Sequence, residues 1–298
     1  MSFETKTWTV GPSTFEVAPT LGCRLMKWSI QMAEKKRNIL YWPENTDPLP
    51  IEQIKGGNPI LFPFVARTFH KDTEGIWKEP NGSLLPMPRH GFARKGCFKI
   101  FEENAQGFSA LFCPSEEDRK SYPFEYQFSV KYAFGELSLM VELILENKDQ
   151  QRIPWCAGHH FYFTLPWHNG LNRSHYQLHL SAKKSFYHDK KGQLIPGEKP
   201  NPVADFDNPI LIDRIHTHLK TATCTFGPKN GEENITITVG DNLTPTPSTT
   251  ITTWTADEKS PFYCIEPWMG PPNAPSHGHG LHWVDPGHTE IFKVTINA

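Results

Sequence analysis

Short apolar runs and period-two alternation dominate the chain, and helical stripes are few. Thr5–Val10, Thr14–Val17 and Cys23–Ile30 read as a first meander. Phe98–Glu102 and Phe108–Cys113 flank Asn104-Ala105-Gln106-Gly107 as a hairpin. Phe124–Phe134 alternates cleanly, and Glu136–Glu146 follows the turn at Gly135. Tyr176–Ser181, Ala222–Phe226, Asn234–Val239, Thr249–Trp254, Pro261–Glu266 and Thr289–Ile296 complete the series. Two short helices are predicted, Ser115–Lys120 with its capping serine and Gln31–Arg37. This is the pattern of an all-β fold, a large antiparallel sandwich or barrel-like stack with few short helices. No low-complexity linker and no internal repeat interrupts it, so one domain over residues 1–298 is expected. The long loops Glu44–Lys55 and Thr68–Arg89 are expected to gather at one mouth of the scaffold.

Composition narrows the classes. Aromatic residues make up 12% of the chain, with 20 Phe and 9 Trp, which suits strands and apolar-walled pockets. A formal net charge of −2 without a basic stripe argues against a nucleic-acid partner. No apolar run approaches the roughly 18 residues of a membrane span, and the start MSFETKTWTV lacks a signal-peptide pattern. Six cysteines (Cys23, Cys97, Cys113, Cys156, Cys224, Cys264) are scattered through strand-like runs with no C-x-x-C spacing. They are expected to be reduced core residues of a cytoplasmic protein.

Four segments set polar residues among apolar ones. In Tyr263-Cys264-Ile265-Glu266-Pro267-Trp268 a carboxylate closes a buried strand, which is costly unless it is paired, hydrogen-bonded or neutral. Such burial raises its pKa towards that of a useful base. Pro267 cannot donate to a ladder, so the strand is expected to stop at Glu266. In Lys55-Gly56-Gly57-Asn58-Pro59-Ile60-Leu61-Phe62, paired glycines permit close backbone approach, and Arg67 follows the apolar run as a held five-donor fork. In Pro86-Met87-Pro88-Arg89-His90-Gly91-Phe92-Ala93-Arg94, a histidine is pinned between stiff prolines and a bendable glycine. In Trp155-Cys156-Ala157-Gly158-His159-His160-Phe161-Tyr162-Phe163, strand alternation lets only one of the two histidines face a given cavity. Each of these groups has an ordinary alternative: an acid or arginine in a structural ion pair, or a histidine satisfied in the core. The cluster His277-Gly278-His279-Gly280-Leu281-His282 lies in a Gly/Pro-rich loop without tight metal-ligand spacing; its histidines read as exposed, with adventitious metal at His279 and His282 the alternative.

Together these segments resemble the aldose 1-epimerase (galactose mutarotase-like) family. The resemblance rests on Gly-Gly-x-Pro-Ile-x-Phe-Pro from Gly56, His90-Gly91-Phe92-Ala93-Arg94 and Tyr122-Pro123-Phe124. It continues through Gly158 to Phe163, Cys264-Ile265-Glu266-Pro267-Trp268 and Asp285-Pro286-Gly287. His-Gly-Phe-Ala-Arg is closer to the hexose-6-phosphate mutarotase branch. The resemblance implies a β-supersandwich that interconverts the α and β anomers of an aldose. It makes His160 the general acid, Glu266 the general base and His90 the holder of the ring oxygen or a neighbouring hydroxyl. Arg67 and Asp213 would bind the sugar. Lys55 and Arg94 match positions near a 6-phosphate, although that branch has Arg where this chain has Lys55. Phe161 stands where a small residue or Pro follows the catalytic histidine in the family.

The chemistry agrees with those residue types. Mutarotation needs one proton taken from the C1 hydroxyl and one delivered to the ring oxygen, with no redox cofactor. No phosphate loop, dinucleotide fingerprint or metal-ligand spacing appears, so no cofactor and no metal are expected. The partner implied is a small sugar or sugar phosphate. Trp77, Phe161, Tyr162 and Trp268 are candidates for an apolar wall against a sugar face, with core packing expected for at least two of them. Two other classes compete. A non-catalytic carbohydrate-binding or regulatory module would keep the aromatics and Arg67 but need not keep an acid and a base together. A glycosidase needs two carboxyl groups about 5 to 10 Å apart, for which Asp213 and Glu266 are the pair available.

Overall fold

The computed structural model describes residues 4–46, 49–231 and 233–298. The chain folds as an assembly of antiparallel sheets with short helices at their edges. The N-terminal residues form a four-stranded meander, Lys6–Val10, Ser13–Ala18, Arg24–Met32 and Lys35–Asn38. Behind it stands a nine-stranded sheet. Its middle is Tyr126–Phe134, Ser138–Asn147 and Thr289–Asn297, where inward Phe128, Val130, Leu143, Leu145 and Val294 alternate with more exposed residues. An eight-stranded sheet faces it, built around Thr250–Trp254, Phe262–Trp268, Gly158–His159 and Phe161–Thr164.

The two large sheets meet through rings that alternate off their strands. Phe62 stacks on Phe128 at 3.8 Å between centroids, Phe163 meets Phe226 at 4.9 Å, and Tyr263 meets Phe206 at 4.8 Å. On Phe262–Trp268 the residues Tyr263 and Ile265 therefore point into the core. Cys264, Glu266 and Trp268 take the opposite face. The same alternation sends Phe161 and Phe163 inward and leaves His160 and Tyr162 on the face of Glu266.

Most predicted strands are present within a residue or two. The helix Glu116–Ser121 forms as expected, with Ser115 and Asp118 closing a capping box. The helix expected at Gln31–Arg37 does not form. Arg24–Met32 and Lys35–Asn38 instead pair as a hairpin, turning at Ala33, whose φ is +48°. The expectation that Cys97 and Cys113 are core residues also fails, because both are exposed; the other four are buried and all six are free thiols. Residues 47 and 48 of the first long loop lie outside the described ones. Among the described residues, no helix is long and apolar enough to cross a membrane.

The strand bearing Glu266 continues through Pro267 to Trp268, contrary to expectation. The backbone N–H of Met269 donates to Ala157 O, so the nitrogen of Pro267, two residues earlier, faces the same neighbouring strand. That is where the neighbour breaks between Gly158–His159 and Phe161–Thr164. His159 O, which an N–H at position 267 would have served, accepts from Trp268 Nε1 at 3.1 Å. The ladder thus absorbs a residue without a donor because an indole supplies one.

Candidate active site

A cavity of about 550 Å³ opens over the outer face of the eight-stranded sheet. Glu266, Trp268, Tyr162, Thr252 and Ile215 come from strands, His160 from the break between Gly158–His159 and Phe161–Thr164, and His90, Arg94, Asp213, Lys55 and Arg67 from the connections at one mouth. Glu266 is only 2% exposed. Its Oε2 lies 3.4 Å from His160 Nε2, too poorly aligned for a hydrogen bond, and has no other partner. Burial pushes the Glu266 carboxyl well above its usual range, and the nearby negative charge of Asp213 pushes the same way. Burial also lowers His160 to about 3, with the cations Arg24 and Arg94 opposing its protonation. An acid and a base therefore face each other in a site that disfavours charge on either.

Strand register sets this pair. Phe161 pairs with Ile265 and Gly158 with Trp268, so His160 stands opposite Glu266. Its backbone N–H donates to Asn58 Oδ1 at 3.1 Å. Its ring stacks on Tyr162 at 4.7 Å and meets Trp254 edge-on at 5.9 Å. His159 points the other way. It is fully buried, stacks on Phe161 and Phe292, and its Nδ1 lies 3.1 Å from Asn58 Nδ2. Asn58 therefore holds both histidines, accepting from one backbone and donating to the other ring.

His90 and Gly91 both adopt left-handed conformations, with φ of +64° and +68°. This bend turns the His90 ring over the cavity, 5.4 Å from the His160 ring and 6.3 Å from Trp268. Ala66 N donates to His90 Nδ1 at 3.1 Å, which assigns the proton of the neutral ring to Nε2. Burial keeps that ring neutral, and the neighbouring His160 acts in the same direction.

Six charged groups and one histidine, expected or newly found here, have different fates. Arg67 is held by Asp189 O at 3.3 Å and Glu74 at 3.5 Å. Arg89, exposed at the rim, also pairs with Glu74, at 3.6 Å. Lys55 lies 5.8 Å from the Trp254 ring. Neither Lys55 nor Arg94 has an ion pair or a side-chain hydrogen bond among the described residues. Asp213 reaches the cavity from a left-handed bend, φ +53°, and His188 lines the same wall. Arg24 is fully buried nearby, its guanidinium donating to the carbonyls of Gly56, Ile54 and Ile51.

All eight residues singled out from the sequence, His160, Glu266, His90, Arg67, Asp213, Arg94, Lys55 and Trp268, line this one cavity. Of the four proposed wall aromatics, Tyr162 and Trp268 line it, whereas Trp77 and Phe161 are core. Asn58, Arg24, His188, Trp254 and Cys264 were not anticipated. Asn58 carried a usable signal, a polar residue inside an apolar run beside paired glycines; the others had none. The 277–282 histidines do not assemble. His277 is engaged by Pro272 O and His279 N, and His282 by Glu290 at 2.7 Å. Among the described residues, the group with metal-ligand spacing is His160, Cys264 and Glu266, whose donor atoms lie within 4.8 Å of one another.

Comparison with known proteins gives the family and the fold. A family model described as aldose 1-epimerase matches residues 14–289. Protein LacX of Lactococcus lactis subsp. lactis is 23% identical over 250 residues, which covers 79% of this chain and 80% of that protein. The solved structure of the Slr1438 protein from Synechocystis sp. PCC 6803 superposes with a TM-score of 0.81 at 20% identity, covering 100% of this chain and 96% of that one. A galactose mutarotase related enzyme from Lactobacillus acidophilus gives a TM-score of 0.79 at 17% identity, covering 99% and 97%. At these identities the two structures establish the fold.

Proposed function

The chain belongs to the aldose 1-epimerase family, and from that premise we propose that it is a mutarotase acting on a hexose or hexose phosphate. The observation that carries the reading is the buried, unpartnered Glu266 Oε2 facing His160 Nε2 across 3.4 Å at the floor of the cavity. A sugar hydroxyl and its neighbouring ring oxygen, set against the pair from the cavity side, satisfy both groups. In this reading Glu266, ionised, removes the C1 hydroxyl proton as the C1–O5 bond breaks, and His160 delivers a proton to O5. The open-chain aldehyde rotates about C1–C2, and the same two groups in reversed roles close the ring on the other face. An ionised Glu266 with a protonated His160 carries no net charge, and sugar hydroxyls supply the hydrogen bonds that the dry cavity lacks. His90, with Nε2–H free to donate, holds the ring oxygen or a neighbouring hydroxyl. Tyr162, Trp254 and Trp268 give the sugar an apolar wall.

A second reading concerns the substrate. Lys55 and Arg94 carry positive charge at the mouth without an ion pair among the described residues, with Glu52 the acid whose charge reaches Arg94, which favours a hexose bearing an anion such as a 6-phosphate. The competing reading of a non-catalytic carbohydrate-binding module has no need of the unpartnered acid.

Polarimetry on fresh α-glucose, α-galactose and α-glucose 6-phosphate tests the proposal. Mutarotation faster than the buffer rate is expected for at least one of them. Glu266→Gln is expected to bind that sugar and keep the parent melting temperature, yet lose about 10²- to 10⁴-fold in kcat. Turnover at the parent rate in that variant removes Glu266 from the mechanism, and no acceleration of any aldose leaves the binding module standing.

A further inference from the structure

Cys264 has no part in the proton transfers, yet it lies beside the groups that perform them. It is completely buried, bonded to no other cysteine, and shares a strand face with Glu266 two residues on. Its neighbour across the ladder is Tyr162, next to His160 on that face. One imidazole nitrogen, one sulfur and one carboxylate oxygen thus converge to within 4.8 Å. Glu266 Oε2, almost wholly buried, has no hydrogen-bond partner, and the cavity gives access from solvent.

We propose that His160, Cys264 and Glu266 form an inhibitory site for a thiophilic divalent ion of the zinc and cadmium class. Nitrogen, thiolate and carboxylate donors together select such ions over magnesium or calcium. Tetrahedral zinc with bonds of about 2.0 Å to N and O and about 2.3 Å to S sets donors roughly 3.3 to 3.8 Å apart. The three donors must therefore close by about 1 Å from their 4.8 Å limit, which side-chain rotation of His160 and Glu266 supplies. The fourth position faces the cavity and takes a water or a sugar hydroxyl. Binding displaces the Cys264 thiol proton to solvent and leaves a metal–thiolate bond. It also occupies both proton-transfer groups, so the ion and turnover exclude one another. The catalytic cycle needs no metal; the metal stops it.

The site rests on His160 and Glu266 facing the cavity as proposed above, so the deciding experiment reads metal binding without activity. The starting protein is Cys97→Ser/Cys113→Ser, which removes the two exposed thiols. Titration with Cd²⁺ alone is expected to give an ultraviolet thiolate-to-cadmium absorption band that saturates at one ion per chain. Cys264→Ser in that background should abolish the band and keep the metal-free rate, with a lower melting temperature because its hydroxyl is buried among Tyr162 and Phe262. His160→Asn, which retains the thiol, should weaken Cd²⁺ by more than the roughly tenfold that losing even an outer-shell partner costs. This second variant decides the matter if Cys264→Ser does not fold. Absence of the band, its survival in Cys264→Ser, or unchanged affinity in His160→Asn overturns the site. In the activity arm, Zn²⁺ should inhibit mutarotation, a chelator should restore it, and Cys264→Ser should resist. Equal inhibition of Cys264→Ser would show that zinc acts elsewhere. A protein that binds Cd²⁺ as predicted but never mutarotates loses the catalytic reading and keeps the metal site.

Discussion

At the scale of single residues, the site turns on two groups that burial pushes the wrong way for charge. Glu266 is raised and His160 lowered, to about 3. The working pair, ionised Glu266 with protonated His160, holds one proton. Activity must fall as pH rises through the raised pKa of Glu266, where that proton is lost, and as pH drops through about 3, where a second proton is gained. The acid limb of kcat/KM is therefore expected below the ordinary carboxylate value of about 4.3, with an alkaline limb well above it. An acid limb above that value would mean that the two groups do not work as a pair sharing one proton. The two adjacent histidines separate by what they touch. His160→Asn is expected to lose about 10²- to 10⁴-fold in kcat with little change in melting temperature. His159→Asn should do the reverse, because its ring fills the core against Phe161 and Phe292 and bonds Asn58. A larger activity loss in His159→Asn reverses the assignment. Cys264 shows why such reasoning stops short in sequence: a cysteine in an apolar run looks like any core thiol until register sets it beside Glu266 and His160.

Elements were legible wherever local pattern and long-range pairing agree. Tyr126–Phe134 and Ser138–Asn147 alternate in sequence because each has one face on the core. Ser115 announces its helix because capping is a local interaction. Met32-Ala33-Glu34-Lys35 failed as a helix for the converse reason: good helix formers are overridden where strand pairing turns the chain at Ala33. Pro267 deceived similarly, since the indole that replaces its missing donor becomes visible only after folding. Asn58 and Arg24 hold the site through contacts 101 and 32 residues away in sequence, which no local pattern reports. The bend at His90-Gly91 is the element most exposed to test. A Cβ on Gly91 would lie 1.9 Å from Phe62 O, at a backbone φ of +68°. Gly91→Ala must shift that bend, and with it the His90 ring. It is expected to lower the melting temperature and, because a displacement near 1 Å can cost about 10²-fold, to reduce kcat/KM on that order. Parental stability and activity in Gly91→Ala would mean that the bend does not position His90.

Across the whole molecule, a net charge of −2 offers an anionic sugar no long-range attraction. Any preference for a phosphorylated hexose must therefore arise locally, at the mouth. Four cations line the cavity there, Lys55, Arg67, Arg89 and Arg94, against Glu52, Asp213 and Glu266. Arg67 and Arg89 already face Glu74, and Glu52 reaches Arg94 by its charge without an ion pair, so Lys55 and Arg94 are the cations freest to hold a dianion. Exposed charges interact over a screening length that shrinks from about 30 Å at 0.01 M salt to about 8 Å at 0.15 M. If these two residues hold the phosphate, kcat/KM for glucose 6-phosphate should fall with added salt while kcat/KM for glucose stays flat. Lys55→Ala with Arg94→Ala should remove both the phosphate preference and its salt dependence, leaving glucose turnover in place because neither residue reaches C1 or the ring oxygen in the proposed pose. Equal kcat/KM for the two sugars in the parent means that the mouth selects no phosphate. A preference that survives the double substitution moves the phosphate to Arg67 and Arg89, where it would have to compete with Glu74.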